Sequence, residues 1–256
     1  DQIMQQTLLD SSQEGYAVAR QGVAAFISEI LKSDNTEQLI NKHRVDQMIA
    51  EVDRALGKQM DEIVHQPAYQ ALESAWRGLK LLVDRTDFRE NIKLEVLHVT
   101  KDELLEDFDN AGDITRSGLY KHVYTAGFGQ FGGEPIASVV GNYTFGPSSP
   151  DIKLLSYMAS IGAMAHAPFV AAAGPEFFNL DGFQNLPNLK EVKDIFEGPR
   201  HTKWRSLRDS EDARHLVLGL PRFLLRQPYD TLENPTSSFM YDETINGQHD
   251  HYLWGN

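Results

Sequence analysis

The 256-residue chain contains no cysteine. Disulfides, cysteine-ligated zinc, iron–sulfur clusters and a thiol nucleophile are therefore excluded for it, and the composition suits a reducing cytoplasm. Positive charge is scarce: 24 lysines and arginines face 37 acids, for a formal net charge of −13. A balance of that sign disfavours non-specific binding to nucleic acid or to anionic membranes. No apolar run approaches the roughly 20 residues of a membrane-spanning helix. The opening stretch "DQIMQQTLLDSSQEG" has neither the basic region nor the apolar core of a signal peptide. Internal repeats and low-complexity tracts are missing, as are HExxH, GxSxG and the phosphate-loop pattern GxxxxGK followed by Ser or Thr.

What the chain does have is apolar patterning, with 41% hydrophobic residues, enough at this length for a core in one or two domains. The first third reads as helix. Val18, Phe26, Ile30 and Leu31 recur through "YAVARQGVAAFISEILKS", and "SDNTEQ" beyond it offers N-cap candidates. Val45, Met48, Val52, Leu56, Met60 and Ile63 then alternate spacings of three and four, close to a heptad stripe interrupted by Gly57. So narrow a stripe packs one partner helix. The pattern leaves open whether that helix belongs to the same chain or to another.

Pro67 suits the first turn of the next helix, where its missing N–H costs nothing. Tyr69, Leu72, Trp76, Leu79 and Val83 form an apolar face, widened by Ala75 and Leu82, while Arg77 stands one turn from Glu73. This predicts a core helix centred on Trp76, whose replacement by alanine should cost about 3–5 kcal/mol.

Strands alternate with helices thereafter. Ile92, Leu94 and Val96 interleave with Lys93 and Glu95, which predicts a strand with one wetter face. Thr100 and Glu103 spell a capping box opening a helix to about Phe108. Leu119, Tyr120, Val123 and Tyr124 share one face of a short helix, and "EPIASVVGNY" carries a buried strand from Ile136 to Asn142. Ser148 and Pro150 start a helix that Ile152, Leu155, Met158 and Ile161 continue. "APFVAAAG" and "HLVLGLP" are further strands, closed by Gly174–Pro175 and Pro221, with helical "LPNLKEVKDIFEG" and "KWRSLRDS" between them. The order predicts an α/β fold with a mixed, largely parallel sheet and flanking helices. Residues 1–66 read as a helical, partner-binding segment and 67–256 as the α/β domain.

Candidate chemistry is sparse. "GFGQFGG", Gly127 to Gly133, contains GxGxxG letter for letter. A dinucleotide needs a strand entering such glycines and a helix leaving them, so that the pyrophosphate meets the helix N-terminus. Here a helix enters and a strand leaves, and Phe128 and Phe131 crowd the turn, so we read the glycines as architectural. His249 and His251 in "HDH" would share one side of a strand, yet lack a third metal ligand at recognisable spacing. His65 is placed to help cap the helix at Pro67, and His166 in "GAMAHAPF" reads as a core histidine. Arg222 and Arg226 follow a strand, where open α/β sheets often hold ligands. They are either an anion site or buried arginines fixing loops through carboxylates, and the 37 acids favour the latter. No nucleophile, base and oxyanion donor assemble, and no cofactor or metal site is expected.

Taken in order, "VHQPAYQALESAWRGLKLLVD", "DITRSGLYKHVY", "GGEPIASVVGNYTF", "APFVAAAGPEFF", "KWRSLRDSEDARHLVLGLPRFLLRQPYD" and "YLWGN" resemble the large sheath subunit of the bacterial type VI secretion system, the TssC/VipB family. The resemblance covers about residues 45 to 256. It implies a contractile tail-sheath-like core and a structural, non-enzymatic role, with Trp76, Arg77, Gly133, Pro135, Pro221, Arg222 and Arg226 serving the architecture. It also implies partners: a small sheath subunit in a heterodimer, neighbouring subunits in hexameric rings linked by strand exchange, an inner tube protein, a baseplate and an AAA+ ATPase that disassembles the sheath. The location implied is the bacterial cytoplasm, docked to an envelope-spanning complex. Within that frame Val45, Met48, Val52 and Leu56 are expected to bind the small subunit. The chain is expected to be the N-terminal half of a longer polypeptide, with "YLWGN" left uncovered in its absence.

Overall fold

Thr100 begins the ordered core. Its hydroxyl accepts from the backbone N–H of Glu103, and the Glu103 carboxylate accepts from the Thr100 N–H, which completes the capping box. In the computed structural model, which describes residues 15–31, 42–237 and 239–255, this cap opens one of nine α-helical segments among those residues. The N-terminal three are α1 (Tyr16–Leu31), α2 (Lys42–Val64) and α3 (Pro67–Arg85). The expectations for the Phe26, Ile30 and Leu31 side chains and for "SDNTEQ" lie outside the described residues.

The main body is built on three parallel strands, β1 (Val139–Phe145), β2 (Phe169–Ala173) and β3 (Leu216–Gly219), in the order β1-β2-β3. Against them pack α4 (Lys101–Ala111) and α7 (Ser149–Ala165), the helical run of α5 (Gly118–Tyr120), a π turn (Lys121–Thr125) and α6 (Ala126–Phe128), and α9 (Thr202–Arg208). The short α8 (Val192–Glu197) lies in the long connection between β2 and β3. Core formation follows the apolar spacing. Leu104 and Phe108 of α4, Leu119 and Val123 one turn apart, and Ile152, Leu154, Leu155, Met158 and Ile161 of α7 are all buried. Ser148 caps α7 by accepting from the Asp151 N–H, as its sequence suggests. The Asp107 carboxylate takes the N–H groups of Gly118 and Leu119 at 2.9 and 3.2 Å, tying the start of α5 to α4.

Phe145 and Phe169 meet edge to face, with Tyr143 beside them. Gly141 sits where the β1–β2 register shifts, and any Cβ there would lie 2.6 Å from the Phe169 ring. The largely parallel sheet and flanking helices are therefore present. The strand expected at Ile92–Val96 is not. The Lys93–Glu134 ion pair and the Tyr143 hydroxyl donating to the Val99 carbonyl tie the chain here to β1 and the segment before it. Side chains hold it at its ends, no ladder forms, and Ile92, Leu94 and Val96 stay exposed.

A second, antiparallel sheet joins β4 (Phe223–Arg226) to β5 (Leu253–Gly255) and packs on α3. It contains most of "YLWGN". Leu253 is buried, and the Trp254 indole N–H donates to the His249 carbonyl at 2.7 Å. The expectation that this stretch lies uncovered is thus corrected: β4 and α3 cover it. No helix among the described residues is long and apolar enough to cross a membrane.

Candidate functional site

The glycine motif is a turn. Helical residues run into it through Phe128, and β1 begins only at Val139. Gly127 faces the Glu134 carbonyl and the Pro135 Cα at 3.0 and 3.1 Å from any added Cβ, and Gly133 faces the Gly127 carbonyl at 2.5 Å. The chain folds back so tightly that side chains would collide, which explains the glycines without a ligand. Phe131 is wholly exposed, and Tyr120, Tyr124 and Phe128 stack in a ladder with successive centroids 5.1 Å apart. The element that follows the glycines is β1, not the helix whose N-terminus a pyrophosphate would need.

Arg226 is the centre of a buried charge network. Its Nη1 donates to Glu243 at 2.6 Å and its Nε to Glu73 at 3.1 Å, while its guanidinium lies 4.2 Å from the Tyr229 ring centroid. Glu73 also accepts from Arg77 at 2.7 Å, and Arg77 reaches the Tyr229 hydroxyl at 3.3 Å. Burial works to raise the Glu243 pKa. The Arg226 hydrogen bond, the Tyr229 N–H and the Arg226 charge outweigh it and hold the carboxyl below the usual glutamate range. Burial likewise opposes the charge on Arg226, and the Glu243 hydrogen bond and charge more than restore it. An external anion at Arg226 would have to displace two carboxylates.

Around this pair the loop 227–252 closes onto the α2–α3 junction. Asp61 accepts from the Tyr241 hydroxyl at 2.8 Å and from the Thr244 N–H at 3.2 Å. His65 lies 3.2 Å from Glu243 and stacks on His251 with centroids 3.9 Å apart. His65 therefore binds the loop rather than capping α3, where Gln66 is the N-cap residue and makes no side-chain cap bond. The "HDH" residues form a 3-10 turn, not a strand, so His249 and His251 do not share a strand face. Among the described residues no group of three or more potential ligands converges as a metal would require. His166 is exposed, not core, and closes α7 in the left-handed region at φ 53°. Among the described residues His201 is a buried histidine, its Nε2 2.8 Å from the Phe177 carbonyl.

Arg222 lies over Trp254 at 4.6 Å and near Phe183 at 5.5 Å, with Asp250 at 3.8 Å. Burial lowers its pKa, and the Asp250 charge opposes that. Both arginines of the sequence-based candidate site are thus engaged inside the protein. Pro221 separates β3 from β4, and its peptide bond with Leu220 is cis.

Trp76 departs most from expectation. It is 66% exposed, and no residue of α3 is buried. The helix presents its polar side to β4 and β5 and leaves most of its apolar face exposed, with Leu79 half-buried. α2 does the same on the stripe singled out above: Val52 is 50% exposed and Leu56 42%, while Val45 and Met48 are half-buried. Among the described residues α2 and α3 touch one another only sparsely. Sequence reasoning missed Asp61, Tyr241 and Glu243. The loop "ENPTSSFMYDETINGQHD" reads as polar and turn-rich, and an Arg–Glu contact across so long a loop has no local signature.

The class these features define is an α/β scaffold that pairs its buried charges internally and presents apolar helical faces. Comparison with known proteins gives that class a family. Residues 46–256 match the family described as VipB, EvpB/VC_A0108, tail sheath N-terminal domain. The chain is also 40% identical over 215 residues to the type VI secretion system sheath protein TssC1 of Pseudomonas aeruginosa, an alignment spanning 83% of this chain and 43% of that relative. The chain belongs to the tail sheath N-terminal domain family, as the resemblance of its sequence segments implies. It spans less than half the length of the curated relative it matches.

Proposed function

We propose that the chain is the N-terminal part of a large sheath subunit of a type VI secretion system, with a structural rather than catalytic role. The observation that carries this reading is the 40% identity to a type VI sheath protein across 215 residues. On this reading the subunit pairs with a small sheath subunit, and the heterodimers stack in hexameric rings around an inner tube. Contraction of the rings, anchored at a baseplate in the cytoplasm and docked to an envelope-spanning complex, drives the tube outward, and an AAA+ ATPase then disassembles the sheath. Val45, Met48, Val52 and Leu56 contribute to the contact with the small subunit. The exposure of Val52 and Leu56, on a stripe spaced for one partner helix, supports that assignment. Domain division at residue 66, with residues 67–256 forming a sheath domain that continues beyond them, belongs to the same proposal.

The test is co-expression of the full-length polypeptide with its small partner, followed by negative-stain microscopy. Hollow tubules with cogwheel-shaped cross-sections are expected. Discrete particles under conditions where both proteins are intact would overturn the sheath reading.

A further inference from the structure

The turn at 245–248, in the loop that closes onto α2 and α3, is built from the one Asn-Gly pair in the sequence. Asn246 and Gly247 both lie in the left-handed region, at φ 51° and 70°, and the Gln248 N–H donates to the Ile245 carbonyl at 2.9 Å. These are the marks of a type I′ turn, for which Asn-Gly is a preferred pair. Both residues are exposed. Among the described residues neither the Asn246 side chain nor the Gly247 N–H has a hydrogen-bond partner. Gly247 also carries no Cβ to keep its backbone nitrogen from the Asn246 side chain, and nothing lies within 4 Å of the position a Cβ would take.

We infer that Asn246 is a site of spontaneous deamidation and that closure of the loop sets its rate. The Gly247 nitrogen, giving up its proton to solvent, bonds to the Asn246 Cγ. The Cγ–Nδ2 bond breaks, and the amide leaves as ammonia, which closes a five-membered succinimide. Water then opens the ring at either carbonyl, giving aspartate or isoaspartate. Only water is consumed, and nothing is oxidised or reduced. The turn restrains the first step. A type I′ turn holds ψ of its first central residue at about +30°. At that angle the Gly247 nitrogen points away from the Asn246 side chain, so attack requires the turn to open. Opening is opposed on both sides: the Thr244 N–H donates to Asp61 of α2 at 3.2 Å, and Gln70 of α3 donates to the Asp250 carbonyl at 2.8 Å. Exposed loops open locally at a free energy well below that of global unfolding, so the folded protein reacts at the free-chain rate multiplied by its open fraction. Either product adds a negative charge close to Asp242, Glu243 and Asp250. Isoaspartate also lengthens the main chain between the two clamps. None of this chemistry requires sheath assembly.

The test holds the full-length polypeptide at mildly alkaline pH, either folded or in urea, and digests it in acid for peptide mapping. The amide-to-acid mass gain locates each conversion, and heavy-oxygen water marks those formed during the incubation. In urea Asn246 should be the first asparagine to convert. In the folded protein it should convert at least about tenfold more slowly. Asp61→Ala removes the α2 clamp and should speed the folded protein's conversion several-fold, with the melting temperature showing that it remains folded. Gln70→Ala loosens the other side and serves in its place if Asp61→Ala fails to fold. Another asparagine converting first in urea would overturn the site. Equal rates folded and in urea, or a folded rate unmoved by the clamp variants, would overturn its control by the loop.

Discussion

α7 and α3 are similar in length, 17 and 19 residues, and both are rich in apolar side chains. α7 buries Ile152, Leu154, Leu155, Met158 and Ile161 against the parallel sheet, whereas α3 buries nothing. The amphipathic pattern of α3 is the clearer of the two on paper. The contrast shows that periodicity reports which face of a helix is apolar and leaves open what covers that face. In the sheet region the cover comes from this chain. At α2 and α3 much of the apolar face is left exposed among the described residues.

The comparison can be tested first where the structure is most densely packed. Phe145 is fully buried between Tyr143 and Phe169, so Phe145→Ala should destabilise the protein by about 3–5 kcal/mol. A shift in the urea midpoint at constant slope measures it. Arg226→Ala leaves the buried Glu243 without its cation, while Glu73 keeps Arg77, and removal of one member of a buried pair costs about 3–5 kcal/mol. Since Glu73 is partly exposed, we expect the lower end of that range. The loss should be partly recovered in Arg226→Met with Glu243→Gln, which removes the stranded charge.

Acid should act on the same network with a smaller effect. The folded-state pKa of Glu243 is depressed, so the stability it contributes is fully present above the ordinary glutamate range. That contribution is lost as pH falls through the depressed folded value. Melting temperatures of the parent and Glu243→Gln, followed from pH 7 downward, should converge in acid. A difference that stays constant with pH would show that Glu243 gains nothing from its ionised form.

The smallest effect is expected at the residue that sequence alone places highest. Trp76→Ala should change the stability of the 256-residue chain by no more than about 0.5 kcal/mol, as for an exposed site away from caps and networks. A loss of several kcal/mol would mean that α3 is covered within this chain and would erase the contrast with α7.

Local signals made much of the main body legible. The Thr100–Glu103 capping box, the Ser148 cap, the helix at Leu119 and the strands at Phe169 and Leu216 follow from spacing and caps within a few residues, whereas the π turn within that helix was not read and the strand expected from Ile136 runs instead from Val139 to Phe145. The helix–turn–strand order at "GFGQFGG" was readable for the same reason. Long-range facts were not. Alternation at Ile92–Val96 predicts a strand, but a ladder needs a partner at the right distance, which no local pattern specifies. The Arg226–Glu243 pair, the Asp61–Tyr241 bond and the His65–His251 stack join residues far apart in sequence. For Arg222 and Arg226 the residue types suggested buried pairing, though not which carboxylates would receive them.

The proposed role of the α2 stripe is contact with another subunit rather than the core of this chain. Val52→Asp in the full-length polypeptide, co-expressed with the small sheath subunit, tests it most directly through the stoichiometry of the co-purified complex. Val52 is half exposed, so a melting temperature close to the parent's together with loss of the complex is expected. A stoichiometric complex retained by Val52→Asp would contradict it.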